Sequence, residues 1–356
     1  MADVAAFRAV RYAHPDPSVT APPYDVISPA ERERLAALDP HNVVRLTLAS
    51  SEEDAGALYR DWLAEGVLLE EDVPAVWALA QVDVGPDGVR RERRGVVASL
   101  AVEPYERRVV LPHERTHAGP KESRLRLLRA ARAQLEPIFL LYDGPSPLAP
   151  PDREPDLEAE GTRLWRMRDA AEVTGFFVDR QLLIADGHHR YETALAYHDE
   201  VGTPESARML VVLVSTADPG LAIFPTHRVF TGRPDIAVGG EPVVSVEEGL
   251  ARLAAEPYER AVALAVRRDG AALVRGGPGQ LDVELIDRFG HEGISYTPDA
   301  AEAAAAVASG AADVAFLLRA TRIEDVFERA RRGEVMPQKT TYFHPKLRSG
   351  LLFHPL

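Results

Sequence analysis

The apolar run Leu182-Leu183-Ile184-Ala185 stops at Asp186-Gly187 and is followed at once by His188-His189-Arg190-Tyr191, and this junction constrains the fold more than any other stretch of the chain. An Asp-Gly pair punctuates regular structure, so a strand over 181–185 must turn there into a helix that begins near His188. Tyr191, Ala194, Leu195 and His198 share one face of that helix, and 208–215 reads as the next strand, so strand, turn, helix and strand form one unit. A helix start leaves backbone N–H groups without partners and carries about half a positive charge, so an anion belongs there. Gly187 lets the backbone approach such a ligand, and Arg190 offers a planar fork for phosphate oxygens. His188 or His189 can donate or relay a proton, and Asp186 suits either Mg²⁺ or a hydroxyl proton. The bland alternative, in which Asp186 only caps the helix and the histidines are packing or surface residues, is outweighed by five polar residues at a strand-to-helix switch point, where ligands gather.

Composition narrows the chemistry. A length of 356 residues exceeds one ordinary domain and predicts about two. The absence of cysteine excludes disulfides, a thiol nucleophile and thiolate-bound metals, so any metal sits on His, Asp or Glu. With 41 basic and 55 acidic residues the net charge is −14, which argues against nucleic acid and acidic membranes and for a small-molecule partner. No basic-then-apolar leader and no apolar run of about 18 residues is visible, so a cytoplasmic location is expected.

Along the chain, proline density makes 21–27 non-helical, with Ser28 as an N-cap ahead of Pro29. A helix is expected over 52–66, closed by Gly66, then a hairpin of strands 76–84 and 89–102. A basic amphipathic helix over 122–134 leads into a strand over 137–142, and 143–161 reads as a Pro- and acid-rich surface loop. After Gly232-Arg233-Pro234 the pattern predicts a helix over 247–255, a hairpin over 261–274, an Ala-rich helix over 299–309 and a strand over 314–318. The expected organisation is a main α/β domain over 1–232, a second α+β subdomain over 233–330, and a C-terminal segment over 331–356 that returns to the cleft.

Further constellations carry candidate chemistry. Leu111-Pro112-His113-Glu114 with Thr116, His117 and Gly119-Pro120-Lys121 contains His-Glu-x-x-His, the zinc-hydrolase pattern, but Pro112 and Gly119-Pro120 bracket too short a helix and no third ligand is evident. Glu114 as a general base, Lys121 and Thr116 as phosphate contacts and His113 as a substrate contact suit the segment better. Pro23-Tyr24-Asp25 forms a rigid turn that can present Tyr24 to substrate and hold Asp25 for catalysis. Pro225-Thr226-His227-Arg228 follows an apolar strand, and Met336-Pro337-Gln338-Lys339-Thr340-Thr341-Tyr342 clusters a lysine and hydroxyls suited to phosphate. Walker-type and dinucleotide-binding glycine patterns are absent.

With these four motifs in order, the chain resembles a bacterial and archaeal family, domain-of-unknown-function family ten-fifteen. That family in turn resembles the ParB and sulfiredoxin superfamily, whose members bind a nucleotide or phosphate beside a Gly- and Arg-containing helix start. Here the corresponding portion is Pro137-Ile138-Phe139, Asp186 to Arg190 and the strand near Val211. The cysteine of sulfiredoxin is missing, so that chemistry does not carry over, and no DNA-reading helical domain of the ParB kind is visible. The turn is also similar to that of free serine kinases, which implies that Asp186, Gly187, His189 and Arg190 form the phosphate site.

The expectation is therefore an α/β (α+β mixed) protein with a ParB/sulfiredoxin-like mixed-sheet core. Its implied activity is phosphoryl transfer between a nucleotide (ATP or ADP, with Mg²⁺ at Asp186) and a small hydroxylated metabolite, L-serine or phosphoserine first, with Asp25 or Glu114 as base. A non-catalytic nucleotide-binding regulator and a zinc hydrolase at His113 and His117 are the alternatives. A homodimer is compatible with all three. Arg190→Ala is expected to abolish binding and spare the fold.

Overall fold

The computed structural model describes residues 1–114 and 118–356, and of 118–120 the backbone alone. The chain is a mixed α/β protein that divides into two compact units, one made of Met1–Gly85, Val89–Leu221 and Pro345–Leu356, the other of Ala222–His344 with Pro86–Gly88. The expected second subdomain, 233–330, thus widens at both ends, because strand Ala222–Phe224 pairs with Tyr342–His344 and carries both flanks into the second unit.

Apolar, β-branched runs build the large sheet of the first unit. Its order is Val110–Leu111, Leu182–Asp186, Ile138–Tyr142, Arg208–Ser215, Arg90–Ala101, Val76–Val84, Thr162–Met167 and Leu157–Ala159, with Val4–Ala5 also pairing Arg90–Ala101. The sheet is mixed: 182–186 runs parallel to 110–111 and 208–215 parallel to 138–142, while the other pairings are antiparallel. Strand alternation sends Val96, Ala98, Ile138, Leu140, Ile184 and Leu213 to one face. There Val173 and Phe177 of helix Ala171–Phe177, and Tyr191 and Ala194 of helix His188–Val201, cover them. On the other face Leu79, Val97 and Val212 flank a void of ≈ 20 Å³ together with Leu347, Leu351 and Leu352 of the C-terminal segment. A separate cluster joins Leu35, Leu46, Tyr59 and Trp62 of the N-terminal helices to Leu127, Ala131 and Phe353.

Two expectations change. The loop over 143–161 gives way at its end to strand Leu157–Ala159, which turns through Glu160 and Gly161, both left-handed, to pair with Thr162–Met167. The helix expected over 122–134 runs Ala118–Ala131, since Arg132 (φ 50°) breaks it and Ala133–Gln134 pairs with His354–Pro355. Pro120 is tolerated because it lies in the first turn, where its missing N–H would have no partner.

In the second unit six antiparallel strands are ordered Glu241–Val243, Gly270–Pro278, Arg260–Arg267, Val314–Leu317, His227–Phe230 and Ile294–Thr297. Val262, Leu264 and Val266 meet Leu253, Ala303 and Val307 of helices Val246–Ala255 and Ala300–Ser309. Ala261, Ala263 and Ala265 face Val283, Leu285 and Ile286.

No helix of the described residues is long and apolar enough to cross a membrane.

Candidate functional site

Asp186 is the last residue of its strand and Gly187 the first cap of the helix that follows. Gly187 is left-handed (φ 100°), and a Cβ there would stand 2.5 Å from Ile138 Cγ2. Glycine is therefore demanded by the turn and by the neighbouring strand together. No side chain caps this helix start, and Tyr191 N–H donates to Gly187 O at 3.0 Å across it. The N–H groups ahead of Tyr191 face outward along the helix axis, as at any uncapped start.

Around this start the fold assembles charges. Arg190 Nη2 donates to Asp186 Oδ2 at 2.8 Å, and Nη1 donates to the Pro137 carbonyl at 2.5 Å. Lys346 Nζ donates to the other Asp186 oxygen at 2.9 Å. Burial would raise the Asp186 pKa, but Lys346 and Arg190 outweigh it and hold the carboxyl well below the usual carboxylate range. Arg190 is shifted upward despite burial, by Glu136, Asp186 and Asp25. The three side chains are 21%, 19% and 13% exposed for Lys346, Asp186 and Arg190, so the cluster is sheltered yet reachable. A carboxylate so depressed is a weak proton acceptor, and each of its oxygens already receives a cationic donor. The expected roles of Asp186 as proton acceptor and Mg²⁺ ligand therefore do not fit: a divalent cation would enter between two cations. Among the described residues no group of three His, Asp or Glu side chains converges to hold a metal.

The two adjacent histidines differ. His188 is buried, and its Nε2 accepts the His113 backbone N–H at 3.3 Å, while the rings stand edge to face with centroids 4.7 Å apart. Burial, with His113 beside it, holds the His188 pKa well below its ordinary value, so a buried neutral ring with an occupied lone pair is no proton relay. His113 is equally spent: Nδ1–H donates to the Ile184 carbonyl at 2.6 Å, and burial pushes its pKa down to about 4. Its part is to tie the 110–114 segment to the strand that carries Asp186. His189 and Glu114 are half-buried in the same unit. Thr116 and His117 lie outside the described residues.

The Pro23-Tyr24-Asp25 turn is fastened from below. Glu136 Oε1 accepts Tyr24 N–H at 3.1 Å and the Ser349 hydroxyl at 2.7 Å, and the Arg124 guanidinium lies 4.2 Å over the Tyr24 ring. Asp25 itself is exposed. On the far side of the helix start, Lys121 Nζ bonds Glu192 Oε2 at 2.7 Å. Arg190 borders a small, mostly apolar cavity of ≈ 50 Å³, shared with Leu127, Leu128 and Ala194 and too small for a nucleotide.

Four further candidates, His227, Arg228, Lys339 and Thr340, belong to the second unit. His227 Nδ1 accepts the Leu318 N–H at 3.1 Å. Buried Arg228 donates to the carbonyls of Thr226, Gln338 (3.2 Å) and Lys339 (3.0 Å), and Thr340 Oγ1 donates to Pro337 O at 2.5 Å. Arg228 is thus consumed in folding the 336–341 turn, with Lys339 left-handed (φ 55°). Sequence reasoning overlooked Lys346 and Glu136. Lys346 lies four residues beyond the Met336–Tyr342 motif, and Glu136 immediately before the Pro137 strand; neither has a local pattern that announces its partner. Arg190 also has a structural part: Arg190→Ala strips donors from Pro137 O and Asp186, so a loss of stability is expected beside any loss of binding.

The class defined by fold and site is thus a mixed α/β protein with an uncapped, cation-flanked helix start. Residues 4–240 match the family described as protein of unknown function (DUF1015), and the chain belongs to that family. No curated protein sequence matches it. Among solved structures it is similar to a free serine kinase in complex with AMP, at 18% identity and TM-score 0.41 over 68% of this chain and 88% of that one. It is also similar to a conserved hypothetical protein from Pyrococcus furiosus, at 19% identity and TM-score 0.35 over 66% and 87%. A third, SbnI with a C-terminal truncation from Staphylococcus aureus, gives 14% identity and TM-score 0.39 over 69% and 83%.

Proposed function

We propose that the Asp186-Gly187 turn binds the phosphate chain of a nucleotide and that the protein moves a phosphoryl group between it and a small hydroxylated metabolite. The choice of L-serine or phosphoserine follows the sequence resemblance of this turn to free serine kinases. One observation supports the reading above others: a fourteen-residue helix starts without a capping side chain exactly where Arg190 and Lys346 are tethered by one carboxylate. Both oxygens of Asp186 are engaged by cations, so the carboxylate does not itself cap the helix start, whose dipole favours a phosphate group.

In the forward direction the acceptor hydroxyl oxygen forms the new P–O bond, the bond to the bridging oxygen of the donor breaks, and the nucleoside diphosphate leaves. The hydroxyl proton passes to a carboxylate, for which exposed Asp25 and half-buried Glu114 are the remaining candidates. Mg²⁺ accompanies the nucleotide rather than a protein site. A second reading, nucleotide binding without transfer, draws support from the poor proton chemistry of Asp186 and His188.

Phosphorus NMR separates the two. Protein incubated with ATP, Mg²⁺ and L-serine should produce a phosphomonoester resonance and ADP in equal amounts. Binding of ATP with no phosphomonoester leaves the regulatory reading, and no binding removes both.

A further inference from the structure

We propose that Lys346 is the ammonium that meets the ligand phosphate at this turn and that buried Arg93 positions it, an inference that rests on the phosphate reading above. Of 41 basic residues only three are lysines, Lys121, Lys339 and Lys346. In a chain so committed to arginine, a lysine marks a place where a compact, rotatable ammonium serves better than a planar fork. Lys346 stands at the start of helix His188–Val201, on Asp186, and Lys121 meets the same helix one turn further on, at Glu192.

What holds Lys346 there is a buried relay. Arg93 is wholly buried; Nη2 donates to Gln81 Oε1 at 2.6 Å, and its guanidinium lies 4.4 Å over the Phe139 ring. Its Nε and Nη1 have no hydrogen-bond partner among the described residues. For packing alone an apolar side chain would be the more stable choice, so such a group needs a task. Its donor-only chemistry supplies one. Gln81, directly opposite Arg93 across the hairpin, must turn its oxygen toward the guanidinium. Nε2 is then aimed at the Lys346 carbonyl, which it reaches at 2.8 Å. With the main chain fixed at 346, the ammonium of that residue lands on Asp186. The relay closes on itself, since Asp186 pairs with Phe139 just past a shift of register in the strand. Without Arg93 the Gln81 amide can flip and set oxygen against oxygen at residue 346, releasing the segment.

Selective ¹³C labelling at lysine Cε gives three signals, assigned with Lys121→Arg and Lys339→Arg. Inorganic phosphate and ADP are then titrated into the full chain, and the wild-type Lys346 signal should shift saturably with either. Gln81→Glu keeps an acceptor for Arg93 but cannot donate to the Lys346 carbonyl. In Gln81→Glu and in Arg93→Met the ligand-free Lys346 signal should move toward that of an exposed lysine, and phosphate affinity should fall about tenfold. Arg93→Lys, still donor-only, should restore the wild-type signal. An unmoved signal and unmoved affinity in Gln81→Glu, which is isosteric and keeps the test should Arg93→Met not fold, overturns the positioning role. Ligand binding that leaves the Lys346 signal in place overturns the contact. A wild type that binds neither phosphate nor ADP fails the phosphate reading and the contact with it, while the ligand-free signals still decide whether Arg93 positions Lys346.

Discussion

His113 and His188 show at the scale of single residues how burial, not residue type, assigns a role. Both rings are neutral in the fold, His113 with its pKa near 4 and His188 well below its ordinary value. In the unfolded chain each takes up a proton near pH 6.5. The unfolded state therefore binds more protons below that pH, so the stability these rings contribute is complete above about 6.5 and is lost as pH falls toward 4. For His113 the loss is on the order of 3 kcal/mol. Urea titrations across that window should show His113→Gln with a flatter pH slope than the wild type. Asp186 has the same sense and a different window: its stabilisation is present above its ordinary pKa of 3.8 and is lost only below it. Gly187→Ala should destabilise the first unit by about 3 kcal/mol, combining left-handed strain with the approach to Ile138, and a shift of the urea midpoint reads it.

Among the elements, the C-terminal segment does most to build the site. Ser349 and Ala21 exchange backbone hydrogen bonds, Phe353 does the same with Val10, and Leu356 N–H donates to Arg132 O. One short stretch thereby ties the N-terminal layer to the sheet, brings Lys346 to Asp186 and helps Glu136 hold the Tyr24 turn. Phe353, fully buried against Tyr12 and Tyr59, is its anchor. Phe353→Ala should cost about 3–5 kcal/mol in a urea unfolding measurement and lower phosphate affinity at the same time. The 331–356 stretch was expected to act as one returning segment. The chain instead changes unit between His344 and Pro345, and the turn over 336–341 is a fixture of the second unit built on Arg228.

For the whole molecule, the second unit is an insertion in the chain order of the first. Ala222 and His344 are opposed in an antiparallel pair, so their Cα atoms stand about 5 Å apart. Replacing 222–344 by a short glycine linker should therefore leave the first unit able to fold. The excised chain is expected to unfold cooperatively in urea with a helix-and-sheet circular dichroism spectrum. A non-cooperative transition would show that the first unit depends on the inserted one.

Local order was legible where a residue's conformation depends on its chain neighbours. The Asp-Gly turn, the hairpin through residues 85–88, the Ser28 cap and the hairpin over 261–274 follow from short-range sterics and periodicity. The partners of charges were not legible, because a buried or half-buried ion is defined by what folding carries to it across the sequence. Lys346 reaches Asp186 over 160 positions, Ser349 reaches Glu136 over 213, and Gln81 reaches the Lys346 carbonyl over 265. The sequence by itself determined where an anion-seeking helix start would form. Tertiary structure decided which cations stand beside it and which histidines lose their protons, since Coulomb interaction and desolvation depend on distance in space and on access to water.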